Sequence, residues 1–243
     1  MSNRDAHLPP VIITIDGPAG TGKSTVAHLL AKRLGLEFLD TGAMYRAAAL
    51  IALEHGIVPS EGFDLAEAVY QSDLHFDWRT DPPQLMLAQR DISRRIRDLD
   101  VSGIVSIVAA QSPLRRMLVQ QQRRIAQQHP RLVSEGRDQG SVVFPDAALR
   151  FYLHADVKIR ADRRVAQLAA SGKSVDEARI VQDIQDRDRL DATRPDGPLV
   201  RPVGAIDIDT GDRSAQEVVD AMESVARENL PEAQFKAGRT SGA

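Results

Sequence analysis

The chain has 243 residues and no cysteine, which excludes disulfides, thiolate nucleophiles and cysteine-held zinc. A net charge of −3 and 4% aromatic residues argue against a global basic field and against stacking platforms for single-stranded nucleic acid. With 42% hydrophobic residues, a sizeable core is available and wholesale disorder is excluded. The segment MSNRDAHLPP lacks the apolar core of a secretory signal, and no apolar run is long enough to span a bilayer. A cytoplasmic protein that binds neither nucleic acid nor membrane is therefore expected. The six histidines show no metal-ligand spacing. Arginine outnumbers lysine 26 to 5; biased codon usage accounts for most of that, although the planar guanidinium suits phosphate.

Residues 1–10 read as a flexible tail ending in Pro9-Pro10. Val11 to Ile15 form a β-branched apolar run typical of a buried strand. Gly17-Pro18-Ala19-Gly20-Thr21-Gly22-Lys23-Ser24 follows and fits G-x-x-x-x-G-K-[ST] at each fixed position. Val26, Leu29, Leu30 and Leu34 then share one helical face, which Gly35 closes. Glu37-Phe38-Leu39 is a second strand. Asp40 or Thr41 caps a helix carrying Met44, Ala47, Ala48 and Ile51 and ending near Gly56. From about residue 60 the pattern changes. Leu74, Phe76 and Trp78 alternate, as do Leu85 and Leu87, around Thr80-Asp81-Pro82-Pro83, predicting a β-hairpin in an insertion. Helices follow over about 101–111 and 113–128, Pro113 suiting the first turn of the second. Leu132-Val133-Ser134 is a third strand, running into Glu135-Gly136-Arg137-Asp138, and Leu149 to Leu153 a fourth. The charged stretch 156–194 reads as two exposed helices around Ser171-Gly172. Ala205 to Ile208 is a fifth strand, and Ser214-Ala215-Gln216-Glu217 is a capping box opening a last helix. Residues 231–243 are expected as a disordered tail. The alternation predicts an α/β fold, a doubly wound five-stranded parallel sheet with helices on both faces, within one domain over 11–230. Residues following the strands near 15, 39, 134 and 153 should converge on one rim.

The glycines of the motif let backbone N–H groups wrap an anion at a helix N-terminus. Lys23 can reach the β- and γ-phosphates, and the Ser24 hydroxyl can ligate Mg²⁺. The pattern indicates a nucleoside triphosphate and magnesium without fixing the fate of the phosphate. A GTP switch needs an Asn-Lys-x-Asp reader, and the only asparagines, Asn3 and Asn229, are not followed by lysine. A motor ATPase needs an apolar strand ending in an acid, for which Leu132 to Glu135 is a weak candidate. A small-molecule kinase needs several arginines on loops near the phosphates, because catalysis of in-line transfer is positioning plus neutralisation. Arg46, Arg137, Arg187, Arg189 and Arg194 meet that demand.

Five segments, in order, closely resemble the bacterial cytidylate kinases of the nucleoside monophosphate kinase superfamily. They are Ile15 to Thr25, Leu39 to Arg46, Glu135 to Asp138, Val142 to Ala147, and Arg187 to Leu199; the resemblance covers about Val11 to Arg227. It implies an ATP- and Mg²⁺-dependent kinase for CMP and dCMP. Gly17, Pro18, Ala19, Gly20, Thr21, Gly22, Lys23, Ser24 and Thr25 would hold the ATP phosphates, with Ser24 on the metal. Thr41, Arg46, Arg137 and Arg194 would grip the acceptor phosphate. Ser106, Arg115 and Asp138 would read cytosine, while Arg187 and Asp191 would meet the ribose. Lys23, Arg137 and Arg187 would be the catalytic cations. A monophosphate-binding insert over about 60–110 and a helical lid over about 158–190 are implied, and a monomer is expected. The alternatives are a UMP/CMP kinase, a kinase for another small acceptor, or a P-loop ATPase module. Plainer roles stand beside these: a surface arginine at 115, a core-facing serine at 106, a helix cap at Asp138, and a simple i,i+3 pair between Asp191 and Arg194.

Overall fold

The computed structural model describes residues 8–170, 176–232 and 235. The expected turn at Ser171-Gly172, and most of the two expected tails, lie outside them.

Five parallel strands form the central sheet in the order β2-β6-β1-β7-β8. These are β1 (Val11–Asp16), β2 (Glu37–Asp40), β6 (Arg131–Glu135), β7 (Leu149–His154) and β8 (Ile206–Asp209). All five coincide with the short apolar runs of the sequence. The β1 pattern of Val11, Ile13 and Ile15 buried, with Thr14 and Asp16 also buried, fits a central strand covered on both faces. On one face, α1 (Lys23–Leu34) and α8 (Ala215–Asn229) pack Val26, Leu30, Val219 and Met222 against Ile13, Ile15 and Phe151. On the other, α5 (Ser112–Gln128) brings Ala126 against Leu39 and Leu132. Register pairs Ile15 with Glu135 and with Phe151, and Asp40 with Glu135. The loops after β1, β2, β6 and β7 therefore leave the same edge of the sheet, as doubly wound folds require of a binding rim.

Helix α2 (Thr41–His55) starts at Asp40, whose Oδ1 accepts the Ala43 N–H at 2.9 Å. Between α2 and α5 lie α3 (Gly62–Gln71), an antiparallel sheet of β3 (Leu74–Asp77), β4 (Gln84–Leu87) and β5 (Arg90–Asp91), a 3₁₀ turn over Arg95–Arg97, and α4 (Leu99–Ala109). The hairpin was legible in the alternation. Helix α3 and the short β5 were not: α3 leaves Phe63 77% and Tyr70 72% exposed, so its aromatic residues do not mark its buried face. Trp78 stacks on His129, with ring centroids 3.8 Å apart. After β6, a single π-helical turn, Gln139–Val143, replaces what the sequence left unassigned. Helices α6 (Val157–Ala170) and α7 (Glu177–Thr193) follow β7. The capping box at Ser214 and Glu217 is present. Within the expected C-terminal tail, the Phe235 ring is buried in the main core, with the Arg227 guanidinium 5.2 Å from its centroid. An apolar ring in a polar segment was the signal for it.

Candidate active site

The loop between β1 and α1 is shaped by backbone. Gly17 has φ +149°, and a Cβ there would collide with the Leu153 carbonyl oxygen, so only glycine lets the loop start so close to β7. Lys23 folds back over the loop. Its Nζ donates to the Pro18 carbonyl at 2.7 Å, 3.4 Å from Thr21 Oγ1. Burial first, and then the charge of Arg137, pull this ammonium down to about 7. An anion in the loop would reverse that shift.

Ser24 Oγ lies 3.5 Å from Asp40 Oδ2. Across the β2–β6 register, burial and then the Asp40 charge push the Glu135 carboxyl up to about 8. A hydroxyl and two crowded carboxyls make an oxygen set that suits a hard divalent cation, whose charge would relieve the crowding. The residues present thus fit Mg²⁺. The sequence had singled out Ser24 alone for this role. Among the described residues no group of three His, Asp or Glu side chains forms a metal cluster by itself.

Beside the loop opens a cleft whose lining includes Thr41, Tyr45, Ser106, Arg115, Arg137, Asp138, Arg187, Asp191 and Arg194. At its floor Arg115 pairs with Asp138, both side chains 3% exposed. Arg115 also donates to the Ala109 carbonyl at 3.1 Å and lies 5.2 Å from the Tyr45 ring centroid. Gly197, at φ +56°, packs on this pair, and a Cβ there would overlap Asp138 Oδ2 and Arg115 Nη2. On the wall, Asp191 accepts from Arg137 Nε at 3.0 Å and from Arg194 Nη1 at 3.4 Å, and Arg194 Nε donates to the Gly197 carbonyl at 2.6 Å. Burial would raise Asp191, but the charges of Arg137, Arg187 and Arg194 outweigh it and hold the carboxyl below its ordinary value.

The cleft has a surplus of donors. Arg187 makes no ion pair among the described residues, and its Nε and Arg194 Nη2 are buried without hydrogen-bond partners. Burial, then the charge of Arg137, pull Arg187 down to about 9. Unpaired buried guanidinium N–H groups are costly unless an anion completes them.

Of the nine residues the sequence placed on the acceptor, eight line this cleft and Arg46 does not. Arg46 donates to Ser102 Oγ at 2.9 Å, while its charge is felt at Arg187. The Thr41 hydroxyl is spent on the Glu135 carbonyl at 2.7 Å, so it faces the cleft with its proton already committed. Asp138 is not a side-chain cap: its carboxylate goes to Arg115. Arg115 is buried rather than a surface arginine, and Ser106 is partly exposed rather than core-facing. The Asp191–Arg194 pair exists but is shared with Arg137. Asp16, Tyr45, Glu135 and Gly197 also belong to the site or its frame. Tyr45 adjoins Arg46 in a motif already singled out, and Gly197 ends an Arg-Pro-Asp-Gly turn. A more open groove between α3 and α5, lined by Phe63, Tyr70 and Met117, carries none of the motifs.

A triphosphate loop facing a buried arginine cluster defines a P-loop phosphotransferase. The chain matches the cytidylate kinase family over residues 13–228 and belongs to that family. It is 41% identical over 224 residues to the cytidylate kinase of Rhodococcus opacus, covering 90% of this chain and 95% of that protein. It is 39% identical over 232 residues to the bifunctional pantoate ligase/cytidylate kinase of Acaryochloris marina, covering 94% of this chain but 44% of that longer protein. An uncharacterized protein from Eubacterium ventriosum shares the fold with a TM-score of 0.52 at 13% identity, over 90% of this chain and 99% of that one.

Proposed function

We propose that the protein transfers the γ-phosphoryl group of ATP to the 5′-phosphate of CMP and dCMP, with Mg²⁺, acting as a monomer in the cytoplasm. The observation that carries this reading is the pairing of unfilled arginine donors at Arg187 and Arg194 with a carboxylate and guanidinium floor at Asp138 and Arg115. The first suits a phosphate, and the second suits a base carrying both an amine donor and ring acceptors. Family membership supports the same acceptor.

Gly17 to Thr25 bind and orient the triphosphate, and Lys23 regains its proton against it. Ser24, beside Asp40 and Glu135, would hold the magnesium ion, which supplies charge neutralisation when bound. Arg46, Arg137 and Arg194 hold the acceptor phosphate, with the Thr41 oxygen beside it; Arg187 and Asp191 meet the ribose. An acceptor phosphate oxygen attacks the γ-phosphorus as the bond to the β-γ bridging oxygen breaks, and ADP leaves. The nucleophile is already anionic, so no general base is required. Arg137 and Arg187 neutralise the equatorial oxygens. Asp138 accepts from the cytosine amine, and Arg115 donates to the ring acceptors, aided by Ser106. Uracil presents a carbonyl to Asp138, and that mismatch provides the discrimination. Segment 60–110 acts as the acceptor-binding insert and 158–190 as the lid, closing to exclude water. Among the described residues no helix is long and apolar enough to cross a membrane.

A coupled assay with Mg·ATP and CMP, dCMP, UMP, AMP or shikimate tests the reading. CMP and dCMP should be phosphorylated well above the others, with little turnover of ATP alone. Acceptor-independent ATP hydrolysis would reject the kinase reading, and equal use of UMP would reject the base-reading role of Asp138 and Arg115.

A further inference from the structure

We infer that Asp16, the last residue of β1, is a positioning residue for the acceptor: its carboxylate holds the π-helical turn that aims Arg137 and Asp138 into the cleft. The inference rests on the acceptor assignment above.

Asp16 is 0% exposed, yet it forms no ion pair among the described residues. Its Oδ1 accepts the Gln139 N–H at 2.8 Å and its Oδ2 accepts the Gly140 N–H at 2.7 Å. These are the opening N–H groups of the turn, which lack carbonyl partners within it. Burying an ionised carboxylate is expensive, and two backbone donors are its compensation. The turn begins immediately after Arg137 and Asp138. Its first side chain is held as well: Gln139 Oε1 accepts from Ser134 Oγ at 2.8 Å, and Gln139 Nε2 donates to Gln122 Oε1 at 3.2 Å and toward Asp138 Oδ1 at 3.5 Å. Asp16 therefore closes a frame running from the donor loop, which starts at Gly17, to the residues facing the acceptor.

The chemistry requires a carboxylate. Two converging N–H groups need two acceptor oxygens, whereas an asparagine offers one and turns an NH₂ donor against the other N–H. The charged or titratable groups facing Asp16 are Asp138 just before the turn, Lys23 on α1 and Tyr152 on β7. Burial pushes the Asp16 carboxyl up to about 6, against the pull of the two N–H bonds. The two N–H donors favour the ionised carboxylate, the form the two-acceptor role demands.

The test is equilibrium binding at pH 7.5 of CMP and, separately, of a non-hydrolysable ATP analogue to the wild type, Asp16→Asn, Arg137→Ala and the double variant. Loss of one charge-assisted hydrogen bond from the frame should weaken CMP binding roughly tenfold or more. Analogue binding should change less than about threefold, because the loop's own N–H groups are untouched. The two substitutions should be non-additive, since Asp16 acts through Arg137 and Asp138. If Asp16→Asn does not fold, Asp16→Ser leaves room for water and keeps one acceptor. Unchanged CMP binding in the folded Asp16 variant, an equal loss of analogue binding, or full additivity would overturn the inference. CMP binding unaffected by Arg137→Ala would instead reject the acceptor assignment on which it rests.

Discussion

The donor loop and the acceptor cleft proposed above are built by opposite means. The loop is one contiguous segment whose shape comes largely from glycine backbone, with Lys23 folded over it and Arg160 of α6 donating to its Ala19 carbonyl at 3.0 Å. The cleft is assembled from α2, α4, α5, the β6 edge and α7, and its shape comes from side-chain ion pairs. A backbone cradle tolerates change in its surroundings. A network of buried charges does not, because removing one member strands another.

The largest effect should come from the loop's own lysine. Lys23→Met is expected to lower kcat by roughly 10²- to 10³-fold while the variant still binds a triphosphate analogue. An equal collapse of analogue binding would show that the loop is not held by backbone alone.

Asp138→Asn should act on fold and selectivity together. It leaves the 3% exposed Arg115 without its carboxylate, which is expected to cost about 3 kcal/mol or more and lower the melting temperature by roughly 10 °C. CMP should also lose its advantage over UMP in kcat/KM. Retained selectivity would move base recognition elsewhere. Gly197→Ala should give a milder version of both effects, since its Cβ would press on the same pair; wild-type melting and kinetics would contradict that packing.

Protonation separates the two halves more gently. Lys23 sits at about 7 in the free protein against an ordinary 10.5, and a bound triphosphate raises it again. At pH 8 free Lys23 is largely neutral and the bound form is charged, so magnesium-free triphosphate binding should take up a proton. Titration calorimetry in buffers of different ionisation enthalpy reads that uptake; zero uptake or release would contradict it. In the absence of ligand, Lys23 contributes stability that rises with pH above about 7, because the unfolded chain binds more protons there. Glu135, raised from 4.5 to about 8, has the opposite sign below that. The smallest effect should be that of Ser214→Ala, outside both halves, which removes a capping box for about 1 kcal/mol with unchanged kinetics.

The same contrast explains what the sequence revealed. The loop, the five strands and the hairpin are local patterns: a motif, β-branched runs and alternation. The physical reading of the residues singled out Arg137 from its place at a strand end, whereas Ser106, Arg115 and Asp138 came only through family resemblance. What brings Arg115 to Asp138 is the packing of α5 against the π-helical turn, and nothing in either segment alone specifies it. Nothing local marks the role of Asp16, because its partners lie more than a hundred positions away. Phe63 and Tyr70 pointed the wrong way for α3, since solvent-facing aromatics break the amphipathic signal.

The most direct measurement is a crystal structure with CMP bound. The cytosine amine should lie on the Asp138 carboxylate, Arg115 on the ring acceptors, and the 5′-phosphate among Arg46, Arg137 and Arg194. A base turned away from Asp138, or a phosphate seated outside that arginine group, would contradict it.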